Sequence, residues 1–212
     1  MATVDAEKKL QKRVLHWLVD DLGYTYLGNL GDIDNTPVRE DLLKANLKKR
    51  GYSDDQIKTA ISELLSKVNN QVDTLYQINR GVYSLLRYGR QGAKDERGRR
   101  QTVHYINWDD IDSNDFYVAE EVSVLRFDKV TRKRPDVVLY INGIALGVFE
   151  LKSSYVSAGK GIRQMLQNQK RENILNFFST TQFLFAGNEA EGLFYGTTDT
   201  PEKYYLKWKE DK

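Results

Sequence analysis

The sequence predicts an α/β fold, a mixed central sheet flanked by helices and preceded by an N-terminal helical hairpin. Two observations carry that prediction. Apolar residues keep a helical period through most of the first 70 positions. From about residue 102, short β-branched and aromatic segments alternate with turn residues, interrupted by one helical stretch. At 212 residues, with 40% hydrophobic and 29% charged side chains, the composition suits one main globular domain with small appendages.

The elements follow in order. Leu10, Val14, Leu15, Leu18 and Leu22 make an amphipathic opening helix from about Val4, which Gly23 stops. Thr36 and Pro37 read as an N-cap and first-turn pair launching a second helix through Leu42, Leu43 and Leu47 towards Gly51. Ser53 and Gln56 form a capping box for a third, whose buried stripe is Ile57, Ile61, Leu64, Leu65 and Val68. Residues 36–70 are therefore a helical hairpin.

The segment 89-GRQGAKDERGRRQ-101 holds no apolar side chain larger than alanine, which predicts a long mobile surface loop. Strands are expected over 102–106, 116–127, 136–141 and 146–152, with a turn at Asn142-Gly143. A helix from Gly161 to about Phe177 precedes strands at 182–186 and 192–197.

Composition also excludes chemistry. There is no cysteine, and the two histidines, His16 and His104, are far apart, so any metal must be a hard cation held by oxygen. No apolar run approaches the roughly 20 residues of a membrane span, and the N-terminal MATVDAEKKL lacks a signal-peptide core, so the chain reads as soluble and cytoplasmic with no membrane partner. The net charge of +2 leaves any attraction for a polyanion to local patches. No G-x-x-x-x-G-K-[ST] loop is present, Gly159-Lys160-Gly161 being too short, so this chain contains no nucleotide motor.

Asp136 stands at the start of a strand whose next five residues, Val137 to Ile141, are apolar or aromatic, the pattern of a strand covered on both faces. Fourteen residues later Glu150 and Lys152 share one face of a second apolar strand, with Phe149 and Leu151 on the other. Buried charges need each other, water or a cation. Asp136 and Glu150 as ligands, with the backbone carbonyl of Leu151, suit Mg²⁺, and Lys152 would hold a water or offset charge on a phosphate. The plain alternative is a solvated sheet face whose lysine pairs with either carboxylate. Register separates the two. A simple two-residue turn at Asn142-Gly143 sets Asp136 opposite Phe149, so a site requires a three-residue loop, Asn142 to Ile144, or a β-bulge nearby.

The string 134-RPDVVLYINGIALGVFELKSS-154 resembles the nuclease core of the R subunit of type I restriction enzymes, within the PD-(D/E)xK superfamily. Upstream, 114-NDFYVAEEVSV-124 is similar to the family's Asn-x-x-Phe strand, and downstream 182-QFLFAGNEAEGLFYGTT-198 resembles its closing hairpin. The resemblance covers most of the chain. It implies a restriction-endonuclease-like fold and an Mg²⁺-dependent endonuclease module cutting double-stranded DNA. Its partners would be the modification and specificity subunits, and ATP would act only through motor domains outside this chain.

Position by position, the resemblance implies Asp136, Glu150 and Lys152 as the catalytic and metal-binding triad, and Gln164 as the glutamine of a Q-x-x-x-Y motif. Asn168 stands where that motif has its tyrosine. In the broader superfamily a glutamate of the first helix joins the metal site, and Glu7 is the nearest candidate. Arg132, Lys133, Arg134, Lys160 and Arg163 are candidates for phosphate contacts, with a solvated rim as the alternative for each. Arg97, Arg99 and Arg100, beside Asp95 and Glu96, are not assigned to DNA. Two other functions fit the same residues: a noncatalytic partner-docking domain, and a stand-alone PD-(D/E)xK repair nuclease.

Overall fold

A computed structural model describes residues 2–94 and 97–209. Helix α1 (Ala2–His16) runs into a π-helical turn (Trp17–Asp21), and Gly23 stops it at φ +72°. A strand absent from the sequence reading, β1 (Thr25–Asn29), follows. Helix α2 (Glu40–Lys49) starts three residues later than Thr36-Pro37 suggests, because residues 37–39 pair with a hairpin tip instead: Ala145 N donates to Pro37 O, and Arg39 N to Gly143 O. Helix α3 (Asp54–Val68) has the expected Ser53/Gln56 capping box.

The sequence reading also missed α4 (Leu75–Tyr88), which Thr74 and Gln77 cap in the same way. Strands β2 (Arg90–Lys94) and β3 (Arg100–Val103) then form an antiparallel ribbon, which corrects the expected loop over 89–101 and the strand start at residue 102. Asp95 and Glu96 lie outside the described residues. A 3-10 turn (Ile111–Ser113) leads to β4 (Phe116–Glu120), and the rest of the expected 116–127 strand is a short ribbon of β5 (Val124–Leu125) with β6 (Arg132–Lys133).

The remaining elements are β7 (Val137–Ile141), β8 (Ile144–Leu151), α5 (Ala158–Asn168), a 3-10 turn (Leu175–Ser179), β9 (Phe183–Asn188), β10 (Gly192–Gly196), another 3-10 turn (Glu202–Tyr204) and β11 (Leu206–Lys207). Helix α5 begins at Ala158, capped by Ser157, and ends at Asn168 rather than Phe177. Phe177 and Phe178 are buried, but from the 3-10 turn. Among the described residues no helix is long and apolar enough to cross a membrane.

Seven strands form one mixed sheet in the order β1-β4-β7-β8-β9-β10-β11. The β1/β4 and β8/β9 pairs are parallel and the other neighbours antiparallel. Helices cover both faces. Leu10, Leu15 and Leu18 of the opening helical segment pack on Val118, Val137, Phe149 and Leu151. On the opposite face Ile162 and Met165 of α5 pack with Val138, Val148, Leu184 and Ala186. A third cluster joins α2, α3 and α4 to Ile144 at the tip of the β7–β8 hairpin. This is a restriction-endonuclease-like architecture, with β7 and β8 at the centre of the sheet.

Candidate active site

The β7–β8 pairing decides whether the sequence motif can become a site. Its turn is the two-residue Asn142-Gly143, both at positive φ (+52° and +83°), so Ile141 faces Ile144 and Tyr140 faces Ala145. A Cβ on Gly143 would sit 2.6 Å from Arg39 O, so the tip closes against α2 only with glycine there. The three-residue loop is thus absent, and the other expected device, a bulge, is present. Leu139 faces Gly147, which leaves Leu146 as the extra residue. Val138 then faces Val148, and Val137 faces Phe149. One more residue sets Asp136 opposite Glu150.

Asp136 precedes β7 and accepts from Leu151 N on Oδ2 at 2.6 Å. Glu150 is 1% exposed. Its Oε1 accepts from Lys152 Nζ at 2.8 Å, while its buried Oε2 has no partner among the described residues. Lys152 Nζ also donates to Leu151 O at 3.0 Å and to Glu7 Oε1 at 3.4 Å. These are not charges on a solvated face. Burial, then the neighbouring Glu150 charge, pushes the Asp136 carboxyl well above the usual range. Burial does the same to Glu150 despite the opposing Lys152. Burial alone would lower the Lys152 ammonium, but Glu150, Asp136 and Glu7 together raise it.

Helix α5 closes the wall beside these groups. A Cβ on Gly161 would stand 3.1 Å from Glu150 O and 3.6 Å from Lys152 Cγ, so the helix lies directly on the strand end. Helix α1 closes the other side with a residue the sequence reading did not single out. The buried Gln11 donates through Nε2 to Glu120 Oε2 at 2.9 Å and to Asp136 O at 3.3 Å. Its signal was available, since Gln11 lies four residues after Glu7 and next to Leu10 in the buried stripe. Glu121 N donates to the same Asp136 carbonyl at 2.9 Å.

The other candidates are less convergent. Gln164 is exposed and its side chain makes no hydrogen bond to another described residue, whereas Asn168 is buried, so the two do not share an environment despite their i,i+4 spacing. Three of the rim cations are engaged: Arg132 with Asp34 at 2.9 Å, Arg163 with Glu202 at 2.5 Å, and Arg134 with Glu121 at 3.9 Å. Lys133 and Lys160 have no ion pair among the described residues.

The donors of this cluster are oxygens, and among the described residues one buried carboxylate oxygen, Glu150 Oε2, has no hydrogen-bond partner. Such a set fits a hard divalent cation, which takes one or two carboxylates and keeps several waters. Among the described residues no group of three or more His, Asp or Glu side chains forms a ready cage, so backbone oxygen and solvent would complete the coordination.

Residues 6–203 match the family model described as the type I restriction enzyme R protein N terminus. Two proteins of Methanocaldococcus jannaschii, provisionally named as type I restriction enzyme endonuclease subunits, are similar in sequence. The MjaVIIIP subunit is 28% identical over 185 residues, 83% of this chain and 17% of its own. The MjaIXP subunit is 26% identical over 127 residues, 58% of this chain and 12% of its own. The chain thus spans less than a fifth of either relative.

Proposed function

The chain belongs to the family of type I restriction enzyme R protein N termini, and from that premise we propose that it is an Mg²⁺-dependent endonuclease module for double-stranded DNA. The observation that carries the proposal is the buried, half-unpartnered Glu150, brought opposite Asp136 by the bulge and flanked by Lys152. The names of the relatives, endonuclease subunits, support the same reading.

In this reading Asp136, Glu150 and the Leu151 carbonyl would hold the ion. When bound, Mg²⁺ supplies charge stabilisation on the phosphate and a more acidic water. Asp136 is fixed by Leu151 N, Gln11 and Glu121, so it needs little reorganisation to bind. Lys152 stays protonated and neutralises charge that develops on the scissile phosphate. Both carboxyls hold protons more tightly than usual, so a cation held by them would be favoured as pH rises. Lys133 and Lys160, with Arg132, Arg134 and Arg163 once their pairs open, would contact neighbouring phosphates. Gln164, on the exposed face of α5, would help position the duplex.

The modification and specificity subunits and an ATP-driven motor would deliver DNA to the site. The test is cleavage of a circular duplex by the assembly carrying this chain, with Mg²⁺ and ATP. Wild type should cut, and Asp136→Ala should assemble but leave the DNA intact. Undiminished cutting by Asp136→Ala would remove the assignment.

A further inference from the structure

Lys152 occupies the place that the metal reading gives to a cation. Its ammonium is bonded to Glu150 Oε1 and Leu151 O, two of the oxygens assigned above as metal donors. A divalent ion and an ammonium on the same two oxygens would repel each other strongly in so buried a setting. The lysine therefore needs another anionic acceptor when the ion enters. Glu7 is within reach: its Oε1 is 3.4 Å from Nζ, it comes from a different element, and its side chain is 33% exposed against 1% for Glu150. The flexible four-carbon stem of Lys152 can close that distance with no backbone movement.

We propose that the Lys152 ammonium is a built-in stand-in for the metal ion, and that Glu7 is the positioning residue that takes Lys152 when a divalent cation binds between Asp136, Glu150 and Leu151. The proposal rests on the metal reading above but deepens it, because Glu7 acts through the lysine and is not itself a metal ligand. Between turnovers the lysine keeps the buried Glu150 compensated. Once metal is bound, Glu7 holds the ammonium beside the site, from where it faces the substrate phosphate.

The test is a double-mutant cycle on Mn²⁺ affinity, read by calorimetry on the 212-residue chain in four forms: wild type, Glu7→Gln, Lys152→Met and the double variant. Lys152→Met should bind Mn²⁺ more tightly than wild type, by about tenfold, since it removes the competing cation. Glu7→Gln should weaken binding by about tenfold in the wild-type background and by less than about twofold beside Lys152→Met, a coupling within the range of contacting pairs. Lys152→Met binding Mn²⁺ no better than wild type would overturn the proposal. So would an equal effect of Glu7→Gln in both backgrounds, which would make Glu7 a direct ligand or a distant field. Failure of all four to bind would instead remove the metal reading on which the proposal stands. Thermal melting checks each fold, and Lys152→Gln, which keeps a donor for Glu150, replaces Lys152→Met if the latter does not fold.

Discussion

The two ends of the β7–β8 hairpin both bury polar side chains, and they treat them in opposite ways. At the turn, Asn142 is fully buried and satisfied. Its Oδ1 accepts from Asp115 N, and its Nδ2 donates to Tyr105 O and Asn114 Oδ1. At the other end, about 15–20 Å away by strand rise, Glu150 is equally buried but one of its oxygens has no partner among the described residues, and the Asp136 and Glu150 carboxyls both resist ionisation. Complete satisfaction marks architecture, because each bond holds the hairpin tip to the segment 105–115 that leads into β4. At Glu150 the missing partner is what the proposed metal ion would supply.

That contrast can be broken most forcefully at the turn. Asn142→Ala takes the partner from Asp115 N and Tyr105 O, while Asn114 Oδ1 keeps Asn107 N, and it puts alanine at a φ of +52°. It should cost at least about 3 kcal/mol, lowering Tm by about 6–12 °C, while the folded fraction still binds Mn²⁺ like wild type. A small loss of stability, or a specific loss of metal binding, would erase the distinction between the ends.

The opposite sign is expected at the carboxylates. The folded-state pKa of Asp136 is raised to about 8, against 3.8 ordinarily, so between those values the folded chain holds a proton that the unfolded chain has lost. Stability should therefore fall as pH rises from about 4 to about 8 and level off above. Asp136→Asn, which can still accept from Leu151 N, removes the Asp136 share of that dependence and leaves the share of Glu150. Without divalent metal it should melt higher than wild type at pH 8, by about 2 kcal/mol, and nearly equally at pH 4. Thermal denaturation at the two pH values decides it, and a destabilised variant at pH 8 would place Asp136 with Asn142 as architecture.

Which of these features could be read from the chain follows from how each is stabilised. The capping box of α3 and the buried strands, expected over 136–141 and 146–152 and observed over 137–141 and 144–151, are local patterns, and so was the need for a three-residue loop or a bulge, since side-chain alternation alone exposes a register conflict. Helix α4 was equally legible through Thr74, Gln77 and its Leu75, Ile78, Val82 and Leu85 stripe, but Gly81 within it resembles a boundary. Strands β2 and β3 were not, because most of the ribbon's side chains are polar. The triad's residues were visible as charges in an apolar context. Its geometry was not, because Glu7 and Gln11 reach it across more than 120 residues of sequence.

The smallest effects belong to the rim. If Lys133 and Lys160 are free to meet phosphates, each alanine substitution should weaken DNA binding modestly and reduce the salt slope by about 0.9. Arg132→Ala and Arg163→Ala should do less, since Asp34 and Glu202 already hold those guanidinium groups. Equal effects at all four would mean that those pairs open when DNA binds.

The central claim is that Glu150 is buried for a metal ion, and calorimetric titration of Mn²⁺ into wild type and Glu150→Ala tests it without partner or motor. The account predicts stoichiometric binding to wild type and none to a folded Glu150→Ala. Equal binding by both proteins, or none by wild type at millimolar metal even with duplex DNA present, would contradict it.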